Sequence, residues 1–212
     1  MNEVIQDHWR KIVDENASFL KDKLLLEFGV KDGFSLDELV QSYENNKLDY
    51  KCFGFDSFLG LPPEANEENT KDFWHAGQFN TNMTCADLQK KYNEKTTIVE
   101  GWFNEVLNDE TLSLFNDMKA GLVHVDCDIY SSAKTVLNWL VENDLLVEGT
   151  LVMYDDWGGH WYIDPADEYC CGEGLAHKEM CEENNMIFEE AYLNTIADHW
   201  KSKVFRYLGK GK

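Results

Sequence analysis

The segment that most constrains this chain is Leu24-Leu25-Leu26-Glu27-Phe28-Gly29-Val30-Lys31-Asp32-Gly33-Phe34-Ser35, an apolar run closed by an acid and two spaced glycines. A short apolar run bounded by glycine reads as a buried parallel strand, and glycine lets the backbone turn sharply and approach a ligand closely. Gly29 and Gly33 are the candidates for that approach. A dinucleotide fingerprint has glycine where Glu27 stands, so that backbone amides cradle a pyrophosphate. A carboxylate at that point repels pyrophosphate. It suits instead the amino group of S-adenosylmethionine, a cofactor that carries adenosine without phosphate.

The rest of the chain alternates apolar strand-like runs with helical ones. Ile5, Trp9, Ile12, Val13 and Leu20 recur at helical spacing, which predicts an amphipathic N-terminal helix within residues 1–22. Helices are expected over Ser35–Tyr43, Ala86–Tyr92, Asp109–Met118, Ser132–Glu142 and Glu173–Asn184. Strands are expected over Tyr50–Phe55, Thr96–Val99, Gly121–Val125 and Gly149–Tyr154, then over Met186–Asn194 and Lys203–Leu208. Alternation of this kind implies parallel strands joined by right-handed helical crossovers. The expected architecture is therefore an α/β three-layer sandwich, Rossmann-like, with a mostly parallel central sheet and a C-terminal antiparallel strand pair. With 212 residues, 43% of them hydrophobic, residues 1–212 can bury a full core as one domain. The long polar stretch at residues 62–84 holds Phe73, Trp74, His75 and Phe79 and reads as a lid loop.

Charge removes several classes of partner. Forty Asp and Glu against 19 Lys and Arg leave a formal charge of −21, which repels phosphate backbones and anionic membranes. Neither nucleic acid nor a membrane is expected, and no run of about 18 apolar residues or secretion signal is present. The expected location is cytoplasmic. The six cysteines have neither a Cys-x-x-Cys pair nor a zinc spacing, so idle or buried thiols are expected.

In open sheets of this class, ligands bind beyond the carboxyl ends of the strands. Glu27, Asp56, Glu100, Asp126 with Asp128, and Asp155 with Asp156 all close expected strands. Capping of the following helices accounts for one or two such acids, but not for acids at five successive strand ends. Asp56 follows one helix and one strand beyond Gly29, where a carboxylate can accept both ribose hydroxyls. Gly101-Trp102-Phe103 offers a close backbone and aromatic faces for adenine. Asp126 and Asp128 are two apart and can converge on one point, while Asp155 and Asp156 can share a ligand only if the strand breaks, as Trp157-Gly158-Gly159 allows. Carboxylates gathered in this way repel one another unless a hard cation sits among them, and magnesium takes oxygen ligands. Metal and sulfonium together point to methyl transfer, with the metal acidifying an acceptor hydroxyl and Asp128 or His160 removing its proton.

These residues, in this order, resemble the macrocin O-methyltransferase family. The resemblance rests on Leu26-Glu27-Phe28-Gly29 through Ser35, Phe55-Asp56-Ser57-Phe58-Leu59-Gly60-Leu61-Pro62, Glu100-Gly101-Trp102-Phe103, Val125-Asp126-Cys127-Asp128-Ile129-Tyr130 and Tyr154-Asp155-Asp156-Trp157. Gly77-Gln78-Phe79 and Cys171-Gly172-Glu173-Gly174 are similar to that family's lid and late-helix segments. The resemblance implies a class I S-adenosylmethionine-dependent fold and magnesium-dependent methylation of a hydroxyl on a small molecule, typically a natural-product sugar. It implies that Glu27, Gly29, Ser35, Asp56, Ser57 and Trp102 serve the cofactor. Asp126, Asp155 and Asp156 would hold the metal, with Asp126 also reaching the cofactor and Asp128 as the base. Family members usually carry a longer N-terminal region that covers the site and assembles homo-oligomers; some two dozen residues precede the cofactor strand here.

Overall fold

The computed structural model describes residues 2–68, 74–157, 169, 171–192 and 202–211, with the side chains of residues 2–7 left out. The expected Ile5 contact and the candidate base His160 therefore lie outside the described residues. Helix α1 (Asn2–Leu20) leads into strand β1 (Lys23–Phe28), helix α2 (Phe34–Asn45) and strand β2 (Tyr50–Asp56). A 3-10 turn (Pro63–Asn66) and helix α3 (Cys85–Gln89) precede β3 (Thr96–Glu100). The short helices α4 (Phe103–Val106) and α5 (Asp109–Ser113) then lead to β4 (Ala120–Val125), α6 (Tyr130–Glu142) and β5 (Leu146–Tyr154). The chain ends with α7 (Gly172–Asn184), β6 (Met186–Tyr192) and β7 (Lys203–Lys210).

The seven strands form one sheet in the order β3-β2-β1-β4-β5-β7-β6. The first five are parallel, and β7 inserts antiparallel between β5 and β6. This is the expected α/β sandwich with its antiparallel tail pair. The order reverses between β1 and β4, the point at which open α/β sheets leave a crevice for a ligand.

Side-chain alternation divides the core between the two faces of the sheet. Leu24, Leu26 and Phe28 of β1 join Phe53, Phe55, Val123 and Val125 in the cluster under α6 and α7. Leu25 points the other way, with Cys52, Leu122, Leu151 and Met153, onto α1 and α2. Trp9, Ile12, Val13 and Leu20 of α1 are buried there, so the amphipathic stripe packs on the sheet as its spacing predicts. No helix among the described residues is long and apolar enough to cross a membrane.

Local chemistry explains where the elements depart from expectation. The helix expected through Met118 stops at Ser113, and Asn116 and Asp117 adopt φ of 51° and 60°, a left-handed pair that no α-helix continues through. The helix at residues 85–89 starts where the Thr84 side chain accepts the Asp87 amide.

Register places the chemistry. Val99, Phe55, Phe28, Val125 and Tyr154 lie side by side across the five parallel strands. One step further along, the Asp126 amide bonds the Phe28 carbonyl, the Gly29 amide the Phe55 carbonyl and the Asp155 amide the Val125 carbonyl. Asp56, Gly29, Asp126 and Asp155 therefore share one row at the carboxyl edge. Gly29 has φ +95°, and a Cβ there would stand 1.9 Å from the Asp126 carbonyl oxygen. Any side chain at Gly29 must push β1 and β4 apart at the crevice. Gly29→Ala should lower stability by about 2–4 kcal/mol, whereas Gly77→Ala, with φ +78° but open space around it, should cost only about 1 kcal/mol. Urea unfolding of the two variants checks this, and equal losses would contradict it.

Candidate active site

The row of strand ends opens into a cavity of about 680 Å³. Its wall includes Gly29, Asp56, Ser57, Gly101, Trp102, Phe103, Asp126, Asp128, Asp155 and Asp156, ten of the residues singled out in the sequence. The Asp56 carboxylate is fixed by two backbone amides, accepting from Lys31 and from Phe58 at 2.6 Å each. Those bonds hold it facing the cavity with lone pairs left for further donors. The Ser57 hydroxyl donates to the Gly60 carbonyl and accepts from the Leu59 amide, which shapes the turn after β2.

Glu27 stands elsewhere. It lies within β1 rather than at its end, so alternation turns its side chain onto the α1/α2 face. There it is fully buried, accepting the Ser35 hydroxyl at 2.6 Å, with its second oxygen 3.5 Å from His124 Nδ1. Trp9 covers the His124 ring edge-on. Burial lowers the imidazole pKa, but Glu27 and then Asp155 and Asp156 outweigh it and leave His124 above its ordinary value. Glu27, Ser35 and Gly33 stand behind the cavity wall rather than on it. Gly33 instead precedes α2 at φ +87°, packed against Leu88 and Tyr92.

Asp126, Asp155 and Asp156 each offer an oxygen within 4.8 Å of those of the other two, a spacing that fits one cation. Burial first, then Asp155, Asp128 and Asp156, pushes Asp126 well above the usual carboxylate range. Burial raises Asp155 against the pull of His124, and burial with Asp155 brings Asp156 up to about 7. Asp128, at φ 61°, is also pushed well up, by burial and then by the charge of Asp156, with which it shares a hydrogen bond. All four acids are partly open to the cavity. An all-oxygen donor set under this mutual repulsion is the chemistry a hard divalent cation relieves.

Around this floor stand Lys31, the aromatics of the expected lid segment and, behind the acids, Glu173. Lys31 lines the cavity with its ammonium 5.2 Å from the centre of the Phe79 ring. Trp74 packs with Leu61, Ala65 and Ile129 and lies 5.4 Å from Phe79, so the described part of the 62–84 segment borders the site. Leu61, just before this segment, is pinned to its middle, the Leu61 amide bonding the Gln78 carbonyl and the Gly77 amide the Leu61 carbonyl. Behind the acids, Glu173 is fully buried and accepts the Cys127 amide on one oxygen and the Asp156 amide on the other, both at 3.0 Å. A sequence signal existed in Cys171-Gly172-Glu173-Gly174, but an acid in a first helical turn ordinarily answers the helix dipole.

A family model described as a methyltransferase domain matches residues 26–157. Among solved structures, CalS11, a calicheamicin methyltransferase, is 19% identical over 97% of this chain and 80% of its own, with a TM-score of 0.66. The O-methyltransferase NovP is 15% identical over 96% and 79%, with a TM-score of 0.64. A CmcI structure described as Mg-SAM is 16% identical over 96% and 71%, with a TM-score of 0.54. These likenesses show a shared fold. No curated protein matches the chain by sequence.

The raised carboxyls make stability depend on pH. Asp156 holds its proton to about pH 7 when folded, against an ordinary aspartate value near 3.8, so the folded state binds more protons between those limits. Stability present at low pH is then lost as pH rises through that window. The metal-free protein should melt higher at about pH 5.5 than at about pH 8, and Asp156→Asn should flatten that slope. Melting curves in chelator check this; a slope that Asp156→Asn leaves unchanged would contradict it.

Proposed function

Since the chain belongs to the methyltransferase-domain family, matched over residues 26–157, we propose that it moves the methyl group of S-adenosylmethionine to a hydroxyl of a small molecule with the help of magnesium. The observation that carries this reading is the convergence of Asp126, Asp155 and Asp156 on the wall of a cavity that also presents Asp56, Gly29 and Trp102. The cavity is of the size that holds a cofactor with a small acceptor.

In this reading Asp56 accepts the ribose hydroxyls, its orientation already set by the Lys31 and Phe58 amides. Gly29 lets the backbone come close, and Gly101, Trp102 and Phe103 supply the surface for adenine. Asp126, Asp155 and Asp156 would hold a magnesium ion, which when bound would lower the pKa of the acceptor hydroxyl. Asp128 takes that proton. Its carboxylate is poised for the task because burial and Asp156 raise its basicity. S-adenosylmethionine, when bound, would supply a methyl group on a sulfonium sulfur for in-line transfer to the acceptor oxygen, and the residues of the site would contribute chiefly positioning. Trp74 and Phe79 of the 62–84 loop border the reaction space and limit its water.

The likeness of the sequence to macrocin O-methyltransferases supports a sugar hydroxyl as the acceptor. CalS11, described as a TDP-rhamnose 3'-O-methyltransferase, is a structural neighbour in the same direction. Residues 1–212 act as one methyltransferase domain in this reading, at work in the cytoplasm.

The test is a binding and turnover series. Asp56→Ala should weaken S-adenosylmethionine binding roughly ten- to a hundredfold in calorimetry, the loss of a charged hydrogen-bonding group being about 1.5–3 kcal/mol. Asp155→Asn should keep cofactor affinity and lose turnover, and Asp128→Asn should keep metal binding while the rate falls by about 10² to 10⁴. Full-rate methylation in excess chelator would overturn the role of the metal. Tight binding of a nicotinamide dinucleotide in place of S-adenosylmethionine would overturn the whole reading.

A further inference from the structure

Glu173 is a buried acid with no share of the cavity wall, yet it touches both loops that carry the metal-site carboxylates. Its oxygens accept the amide of Cys127, which sits between Asp126 and Asp128, and the amide of Asp156 itself. Both amides lie just beyond the last paired residues of β4 and β5, Val125 and Tyr154, where the ladder between the strands has ended. N–H groups beyond the ladder need acceptors, and the two oxygens of one carboxyl group supply both. Glutamine would satisfy one amide and set its own NH2 against the other. The residue type is thus matched to the task, although burying an acid beside four others is a costly way to achieve stability alone.

The position of this carboxylate is itself held from several sides. Ala176 and Met180 bury α7 in the core, the Tyr154 hydroxyl meets His177 Nδ1 at 2.9 Å, and the Tyr130 hydroxyl donates to Glu179 at 2.6 Å. Lys134 of α6 reaches Glu179 and Glu183 on the same helix. Glu173 therefore transmits a fixed reference point from the α6/α7 layer to the tips of β4 and β5.

We propose that Glu173 is a positioning residue for the metal centre, a clamp that sets the spacing of Asp126 from Asp155 and Asp156 by joining the Cys127 and Asp156 amides through one carboxylate. This rests on the reading of those three aspartates as metal ligands. Groups that orient ligands from behind commonly govern metal affinity by ten- to a hundredfold.

The experiment titrates Mn²⁺ into wild-type protein, Glu173→Gln and Glu173→Asp, following free Mn²⁺ by electron paramagnetic resonance, with thermal melting and S-adenosylmethionine calorimetry in parallel. The expected result is Mn²⁺ binding weakened roughly tenfold or more in whichever variants fold, with cofactor affinity in chelator nearly unchanged. A lower melting temperature with Mn²⁺ affinity equal to wild type would reduce Glu173 to a structural role and overturn the clamp while leaving the metal site intact. A wild-type protein that binds no Mn²⁺ would overturn both the clamp and the metal reading beneath it. Hydrogen exchange on the wild-type protein gives a readout free of any variant: the Cys127 and Asp156 amides should be protected although neither belongs to a strand, and rapid exchange of both would overturn the clamp.

Discussion

Repulsion among Asp126, Asp128, Asp155 and Asp156 is the constraint around which the carboxyl edge of this sheet is organised, because parallel register leaves these acids no room to part. Asp126 and Asp155 follow paired residues of adjacent strands, and the amide of Asp155 still bonds the Val125 carbonyl. Gly29 closes the row from the other side, against the Asp126 carbonyl, at a distance that excludes a Cβ. A native structure that keeps such a cluster half-buried departs from the consistency that usually marks a folded core, and departures of this kind concentrate at functional sites. The neighbouring groups soften it without removing it: His124 draws on Asp155 and Asp156 from the α1/α2 face, and Asp128 shares a hydrogen bond with Asp156.

The two faces of the sheet contribute differently to this edge. On the α1/α2 face, Glu27, Ser35, His124 and Trp9 form a buried polar knot under the N-terminal helix. On the α6/α7 face, Glu173 ties the two acid-bearing loops together from behind. Between them the cavity receives backbone and carboxylate groups from five strand ends and from the segment around Trp74 and Phe79. A rigid scaffold with its chemistry on loops is the arrangement that permits a precise site with a variable acceptor pocket.

The parallel order, the antiparallel tail and the acids at the ends of β2, β4 and β5 were legible because strand and helix periods differ sharply, and because β2 ends at, and β4 and β5 end just before, an aspartate. The orientation of Glu27 was not legible: inside a strand that runs to Phe28 its side chain turns onto the α1/α2 face, because strand side chains alternate. The ten wall residues were legible for the converse reason, since each lies just past or at the tip of its strand or in the segment that follows. Glu173 was not, because its role comes from a tertiary contact between one helix and two loops distant in sequence, and nothing local distinguishes it from an acid placed for the helix dipole.

Diffraction at the manganese edge from crystals grown with Mn²⁺ and S-adenosylhomocysteine tests the central claim most directly. The account predicts one anomalous peak at the carboxyl edge, with oxygens of Asp126, Asp155 and Asp156 at about 2.0–2.2 Å, as for a small octahedral divalent ion. An anomalous peak away from these three residues, or bound cofactor with no peak at saturating Mn²⁺, would contradict it.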